Sequence, residues 1–187
     1  MPTKIAMFGA TGFTGRVVLE RALEAGHQVV ALVRDPAKLE LRHDLLELVR
    51  GNALNAGDVL RVVEESDVVL HCLGVGGKGD GKPSTLVSDS VALVVDAMGK
   101  AGVRRLVCVS NLGAGGSGPW LVNRLVVPLF LRWLRPIIED KDRMEAVLAR
   151  SDVEWVAARF PNIVDGPSKP LHVDGDGQRT ATMSITT

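Results

Sequence analysis

The chain has 187 residues, 46% of them apolar and only 4% aromatic, with 22 basic and 22 acidic side chains. That length fits a single domain with a sizeable core, and the balanced charge gives no electrostatic case for nucleic acid or an anionic membrane as a partner. A core poor in aromatics and rich in Val, Leu and Ala suits parallel strands covered on both faces.

The first element is an apolar run at residues 5–8, which leads directly into Gly9, Gly12 and Gly15. A helical pattern starts at Gly12, with Val17, Val18, Leu19, Ala22 and Leu23 as its apolar face. Strand, glycine-spaced turn and helix in immediate succession are what a dinucleotide site requires. Gly9 permits the tight turn, Gly12 lets backbone amides approach a pyrophosphate, and Gly15 lets the helix pack close to the strand. The helix N-terminus then offers unpaired N–H groups and the positive end of its dipole. Because this strand begins almost at Met1, no secretory leader is expected, and a cytoplasmic location is.

The second strand, residues 28–33, ends at Arg34, Asp35 and Pro36. A site for NAD places an acidic residue about 20 residues after the glycine turn, to hold the ribose hydroxyls. Here Arg34 takes the place directly after the apolar run, and a guanidinium fork matches the 2′-phosphate of NADP. Lys38 adds a second positive charge, whereas Asp35 leaves a ribose contact open. The third strand, 47–49, is followed by Asn52 and Ala53 where an adenine would lie. Asn52 either bonds the base edge or shapes the turn.

A helix is expected around residues 55–65 and a strand at 68–73, ending in Leu73 and Gly74 beside the cofactor's central part. His71, inside that strand, reads as a hydrogen-bonded core histidine. The other three histidines have no acid or nucleophile at a catalytic spacing. Cys72 and Cys108 both sit in apolar runs, and two thiols without motif spacing imply neither a disulfide framework nor a metal site. The next helix, 84–100, is capped by Ser84 or Thr85 and closed by Gly102. Strand 105–110 ends at Ser110. The glycine-rich stretches 74–81 and 113–118 follow strands, on the ligand-binding edge.

Residues 120–138 crowd apolar side chains, but Arg124, Arg132, Arg135 and Pro128 interrupt them, which argues against a membrane span. An amphipathic element over a pocket, or a homodimer contact, is expected instead. Trp120, Phe130 and Trp133 there either stack on a flat substrate or pack an interface. A helix at 139–150 opens with Glu139, Asp140 and Asp142, an acidic start that complements the dipole. Strand 154–160 follows, then a final strand-like run at 179–185. No helix covers that last run, so the expected single domain, residues 1–187, lacks a C-terminal helix or closes its edge with a partner. Alternating strands and helices give an α/β doubly wound parallel sheet.

The segments Phe8-Gly-Ala-Thr-Gly-Phe-Thr-Gly15, Leu32-Val-Arg-Asp35, Gly51-Asn-Ala53, Val107-Cys-Val-Ser110 and Arg159-Phe-Pro161 resemble the atypical short-chain dehydrogenase/reductases. Within that family the chain is most similar to the NAD(P)H-binding branch of flavin reductase/biliverdin reductase B and the NmrA-like proteins. The resemblance implies a Rossmann fold and NADP(H) as cofactor. It sets Gly9, Thr11, Gly12, Phe13 and Thr14 around the pyrophosphate, Arg34 on the 2′-phosphate and Ser110 beside the nicotinamide. Lys141 becomes a candidate for the ribose hydroxyls, and Pro161, Asn162 and Ile163 for the loop that holds the carboxamide.

One departure from the wider family matters. Its catalytic pair is Tyr-x-x-x-Lys, and this chain contains no tyrosine. Hydride transfer to a small planar acceptor such as a flavin or quinone survives that loss, because the acceptor stabilises the added electrons and solvent supplies the proton. Ser110 and Lys141 are then the candidate catalytic residues. Two readings from other classes stay open, a non-catalytic NADP-binding regulator that senses redox state and an interaction module docking through residues 120–138.

Overall fold

The computed structural model describes residues 2–75, 82–111, 114, 134–160, 163–165 and 183–185. Six strands form one parallel sheet: β1 (Lys4–Phe8), β2 (Gln28–Val33), β3 (Leu46–Arg50), β4 (Val68–His71), β5 (Arg105–Asn111) and β6 (Glu154–Phe160). Their spatial order is β3-β2-β1-β4-β5-β6, and every neighbouring pair runs parallel. The order reverses between β1 and β4, which makes a topological switch point and is the strand order of the Rossmann fold.

Successive residues of a strand point to opposite faces, and here both faces are buried. Ala6, Phe8, Val30, Leu32, Val69 and Leu106 pack beneath helices α2 (Ala56–Val63), α3 (Leu86–Ala101) and α4 (Arg135–Leu148). Ile5, Met7, Val29, Ala31 and Val33 pack beneath α1 (Phe13–Glu24). Helices on opposite faces to the two sides of the switch point follow from right-handed crossovers.

Local signals set the element ends. Gly102 closes α3 at φ 73°, in the left-handed region where glycine carries no Cβ penalty. Ser84 Oγ accepts the Leu86 N–H at the other end of that helix. Asn55 caps α2 by accepting from Asp58 N. One expectation needs correction. α4 begins at Arg135, so Glu139, Asp140 and Asp142 do not form its first turn. Pro136 at the start explains this, because its fixed φ suits a first helical turn and its missing N–H costs nothing there. Of the expected final run, Met183–Ile185 is described: it forms β8, which pairs in parallel with β7 (Ile163–Asp165) in a separate two-stranded sheet, and residues 179–182 lie outside the described residues.

Among the described residues no helix is long and apolar enough to cross a membrane. Pro161, Asn162, Trp120, Phe130, Trp133 and the proposed dimer contact up to residue 133 lie outside the described residues.

Candidate functional site

The site is built at the carboxyl ends of β1, β2, β4 and β5, and its floor is the glycine turn after β1. Gly9 has φ 87°, and a Cβ on it would fall 2.6 Å from the Cys72 carbonyl carbon at the end of β4. A Cβ on Gly15 would fall 1.9 Å from the Gly9 carbonyl oxygen. Both positions therefore bring backbone against backbone and admit only glycine. Gly12 differs, since a Cβ there would meet nothing closer than Gly9 O at 3.4 Å. It is exposed, and it precedes α1 with no side chain capping the first N–H groups of the helix. A cradle open on one side, with unpaired amides and Phe13 half exposed beside it, fits a pyrophosphate.

Arg34 and Lys38 are both exposed beyond the end of β2. Asp35 accepts the Ala37 N–H at 3.1 Å, and so caps the short 3-10 turn Pro36–Lys38. That bond engages one carboxylate oxygen in its own turn, and Asp35 is exposed like Arg34. Asn52 Oδ1 accepts the Leu54 N–H at 3.0 Å, and Asn52 N–H donates to Asp58 at 2.9 Å. Its oxygen thus shapes the turn after β3, while Ala53 packs against the core.

The opposite wall comes from one face of α4. Lys141 is 3% exposed. Its Nζ donates to Leu73 O at 3.2 Å and to Val109 O at 2.6 Å. One ammonium therefore ties together the ends of β4 and β5, beside Gly74, which is exposed. Burial holds the Lys141 amine below its usual range, with nearby Cys108 and Asp140 acting the other way. A solvated lysine is excluded by this placement.

Ser110, 1% exposed, donates its hydroxyl proton to Glu145 Oε1 at 2.7 Å. Arg159 Nε donates to the same oxygen at 3.0 Å, and its Nη2 reaches Oε2. Arg159 stands opposite Ser110 in the β5–β6 register, so serine, carboxylate and guanidinium close into one network across β5, β6 and α4. The Glu145 hydrogen bond is the main reason the Arg159 guanidinium is pushed above its usual value. Asp140 accepts Val87 N–H at 3.0 Å and Ser88 N–H at 3.1 Å, so this buried acid caps α3 rather than its own helix. Sequence reasoning missed Glu145, Arg159 and the Asp140 cap. A signal existed, since Lys141 and Glu145 are polar at positions that share a helix face with Met144 and Leu148.

His71 is fully buried, with Nε2 3.0 Å from Ser90 Oγ and its ring stacked near Phe8. Burial, aided by the charge on Lys141, lowers its pKa to about 3, so it stays neutral and is no base for the site. Burial likewise raises the thiols of Cys72 and Cys108 to about 11, and both are free cysteines. Ile163 opens β7, which pairs with β8 in a separate two-stranded sheet.

A family model described as NAD(P)H-binding matches residues 9–187. The chain belongs to this NAD(P)H-binding family. An uncharacterized protein of Mycobacterium tuberculosis is 28% identical over 156 residues, covering 83% of this chain and 14% of the relative. The chain therefore spans only a small part of that relative's length. Among solved structures, a short-chain dehydrogenase/reductase of Veillonella parvula in complex with NADP matches 99% of this chain and 82% of its own at 18% identity, with TM-score 0.74. An anaerobilin reductase from Escherichia coli O157:H7 matches 98% and 85% at 21% identity, with TM-score 0.76. Similarity at that level concerns the fold.

Proposed function

We propose that this NAD(P)H-binding chain is an NADPH-dependent oxidoreductase that passes hydride to a small planar acceptor such as a flavin or quinone. The observation that carries the reading is the chemistry at the nicotinamide end of the sheet. The chain has no tyrosine, Ile137 stands one helical turn before Lys141, and the proton of Ser110 is committed to Glu145. The tyrosine that serves the wider family as proton donor is thus missing from this chain. An acceptor that delocalises two added electrons needs no such donor, because its proton comes from water.

When bound, NADPH supplies the hydride. The chain's own residues then divide the remaining work. Gly12 and the first amides of α1 hold the pyrophosphate, and Arg34 with Lys38 takes the 2′-phosphate. Lys141 keeps one donor beyond the two spent on Leu73 and Val109, suited to a ribose hydroxyl. Ser110 presents its oxygen lone pairs as acceptors, because Glu145 fixes the direction of its O–H. In this reading Pro161, Asn162 and Ile163 hold the carboxamide, and Leu73, Gly74, Asn52 and Ala53 border the cofactor.

The burial of both Ser110 and Lys141 favours a second reading, a non-catalytic NADP-binding regulator in which these residues only brace the strand ends. Steady-state NADPH oxidation with a panel of flavins and quinones decides between them. Turnover with at least one planar acceptor, and none with simple alcohols and NADP, supports the reductase. NADPH binding without turnover on any of the panel supports the regulator.

A further inference from the structure

We propose that Arg16 is a positioning residue for cofactor choice, holding the turn that carries Arg34 and Lys38 against the glycine turn. The proposal deepens the reading above and rests on it. Arg16 is the first residue after Gly15, on the exposed side of α1. Its Nε donates to Thr11 O at 3.2 Å, and its Nη2 donates to Lys38 O at 3.0 Å. One edge of a planar guanidinium thus spans two backbone carbonyls 27 positions apart, one in each phosphate-binding turn. The first turn faces the pyrophosphate and the second faces the 2′-phosphate.

The second turn is otherwise held by its own bonds. Asp35 accepts Ala37 N–H, Lys38 N–H donates to Asp35 O, and Leu39 N–H donates to Pro36 O. These fix its internal shape but not its place relative to α1. Leu39, buried in the core on that face, anchors its far end. Arg16 anchors its near end, and the arginine stem lines a groove with Leu19, Leu39 and Leu41 between the two. A phosphate site assembled from two turns is only as well formed as the distance between them, and only NADPH carries the 2′-phosphate that engages the second turn, so this tie bears on NADPH more than on NADH.

The test is titration calorimetry of NADPH and of NADH on the full chain, comparing the parent with Arg16→Lys and Arg16→Met. Lysine keeps the charge but replaces a rigid two-donor edge with a point donor, and methionine keeps most of the stem. Both variants are expected to lose NADPH affinity by roughly fivefold to tenfold, with NADH shifted by less than about twofold, the scale of one or two charge-assisted hydrogen bonds. An unchanged thermal midpoint shows that the fold is intact. Parental NADPH affinity in Arg16→Lys would mean that charge alone matters and would overturn the proposal. Equal losses for both cofactors would overturn it too. Arg34→Ala measured alongside separates the failures. If Arg34→Ala erases the NADPH preference and the Arg16 variants keep it, only the positioning role fails. If the parent has no preference for Arg34 to carry, the reading of Arg34 fails first and this proposal falls with it.

Discussion

Substitutions at Gly12 and Gly15 should separate cofactor binding from folding. A Cβ on Gly15 would lie 1.9 Å from Gly9 O and 2.8 Å from Gly9 C. Comfortable contact begins at about 3.5 Å, so the first turn of α1 would have to retreat from β1 by roughly 1 Å or more. Overpacking of this kind costs about 1–3 kcal/mol, and no flexible side chain is present to absorb it. Gly15→Ala should therefore lower the urea midpoint even without ligand. Gly12 has φ −78° and ψ 165°, a conformation any residue adopts, and its Cβ would meet only Gly9 O at 3.4 Å. Gly12→Val should cost less than about 1 kcal/mol of stability, the range for changes at the residue before a helix. Its branches fill the space through which a pyrophosphate reaches the amides. The assay is unfolding with and without NADPH. Ligand at one hundred times Kd should stabilise the parent by about 2.7 kcal/mol, and this gain should vanish in Gly12→Val. A Gly12→Val protein that keeps the full gain, or a Gly15→Ala protein as stable as the parent, would refute the reasoning.

Arg34→Ala should weaken NADPH binding by about 1.5–3 kcal/mol, the scale of a charge-assisted hydrogen bond, and leave NADH nearly unchanged. Equal affinity for the two cofactors in the parent, by calorimetry, would contradict it. Ser110→Ala should slow turnover moderately while NADPH affinity holds, and a tenfold loss of affinity would show that the serine binds cofactor instead. His71 sets a pH dependence of stability. Its pKa of about 3 in the fold lies below the ordinary 6.5 of the unfolded chain, so the unfolded state takes the proton first. The stabilisation is complete above about pH 6.5 and is lost as pH falls toward about 3, at roughly 1.4 kcal/mol per pH unit. Urea unfolding of the parent and of His71→Gln between about pH 7 and about pH 5 should differ by roughly 2 kcal/mol in their loss of stability. Parallel losses would remove His71 from the account.

The glycine turn of the candidate site was legible because its information is in backbone geometry. A positive φ at Gly9 and a carbonyl in the space of a Gly15 side chain leave glycine as the only solution, so the chemistry is written as residue identity. The strands were legible for a related reason, since burial on both faces turns each into an aliphatic run. The network around Ser110 was less so. Glu145 meets Ser110 across 35 positions and Arg159 across 14, and no local pattern encodes such a meeting. The acids near residue 140 illustrate the limit, because a helix-dipole rule gives them to α4 while tertiary packing sends Asp140 to cap α3. Lys141 could equally have been a solvated helix lysine. Only the crossing of α4 over the ends of β4 and β5 shows that it ties them together.

Anaerobic single turnover with NADPH deuterated at the transferring carbon tests the central claim most directly. The account predicts that NADPH disappears and reduced flavin or quinone appears in equal amounts, with the deuterated cofactor reacting more slowly. NADPH that stays bound and unoxidised beside every planar acceptor would contradict it.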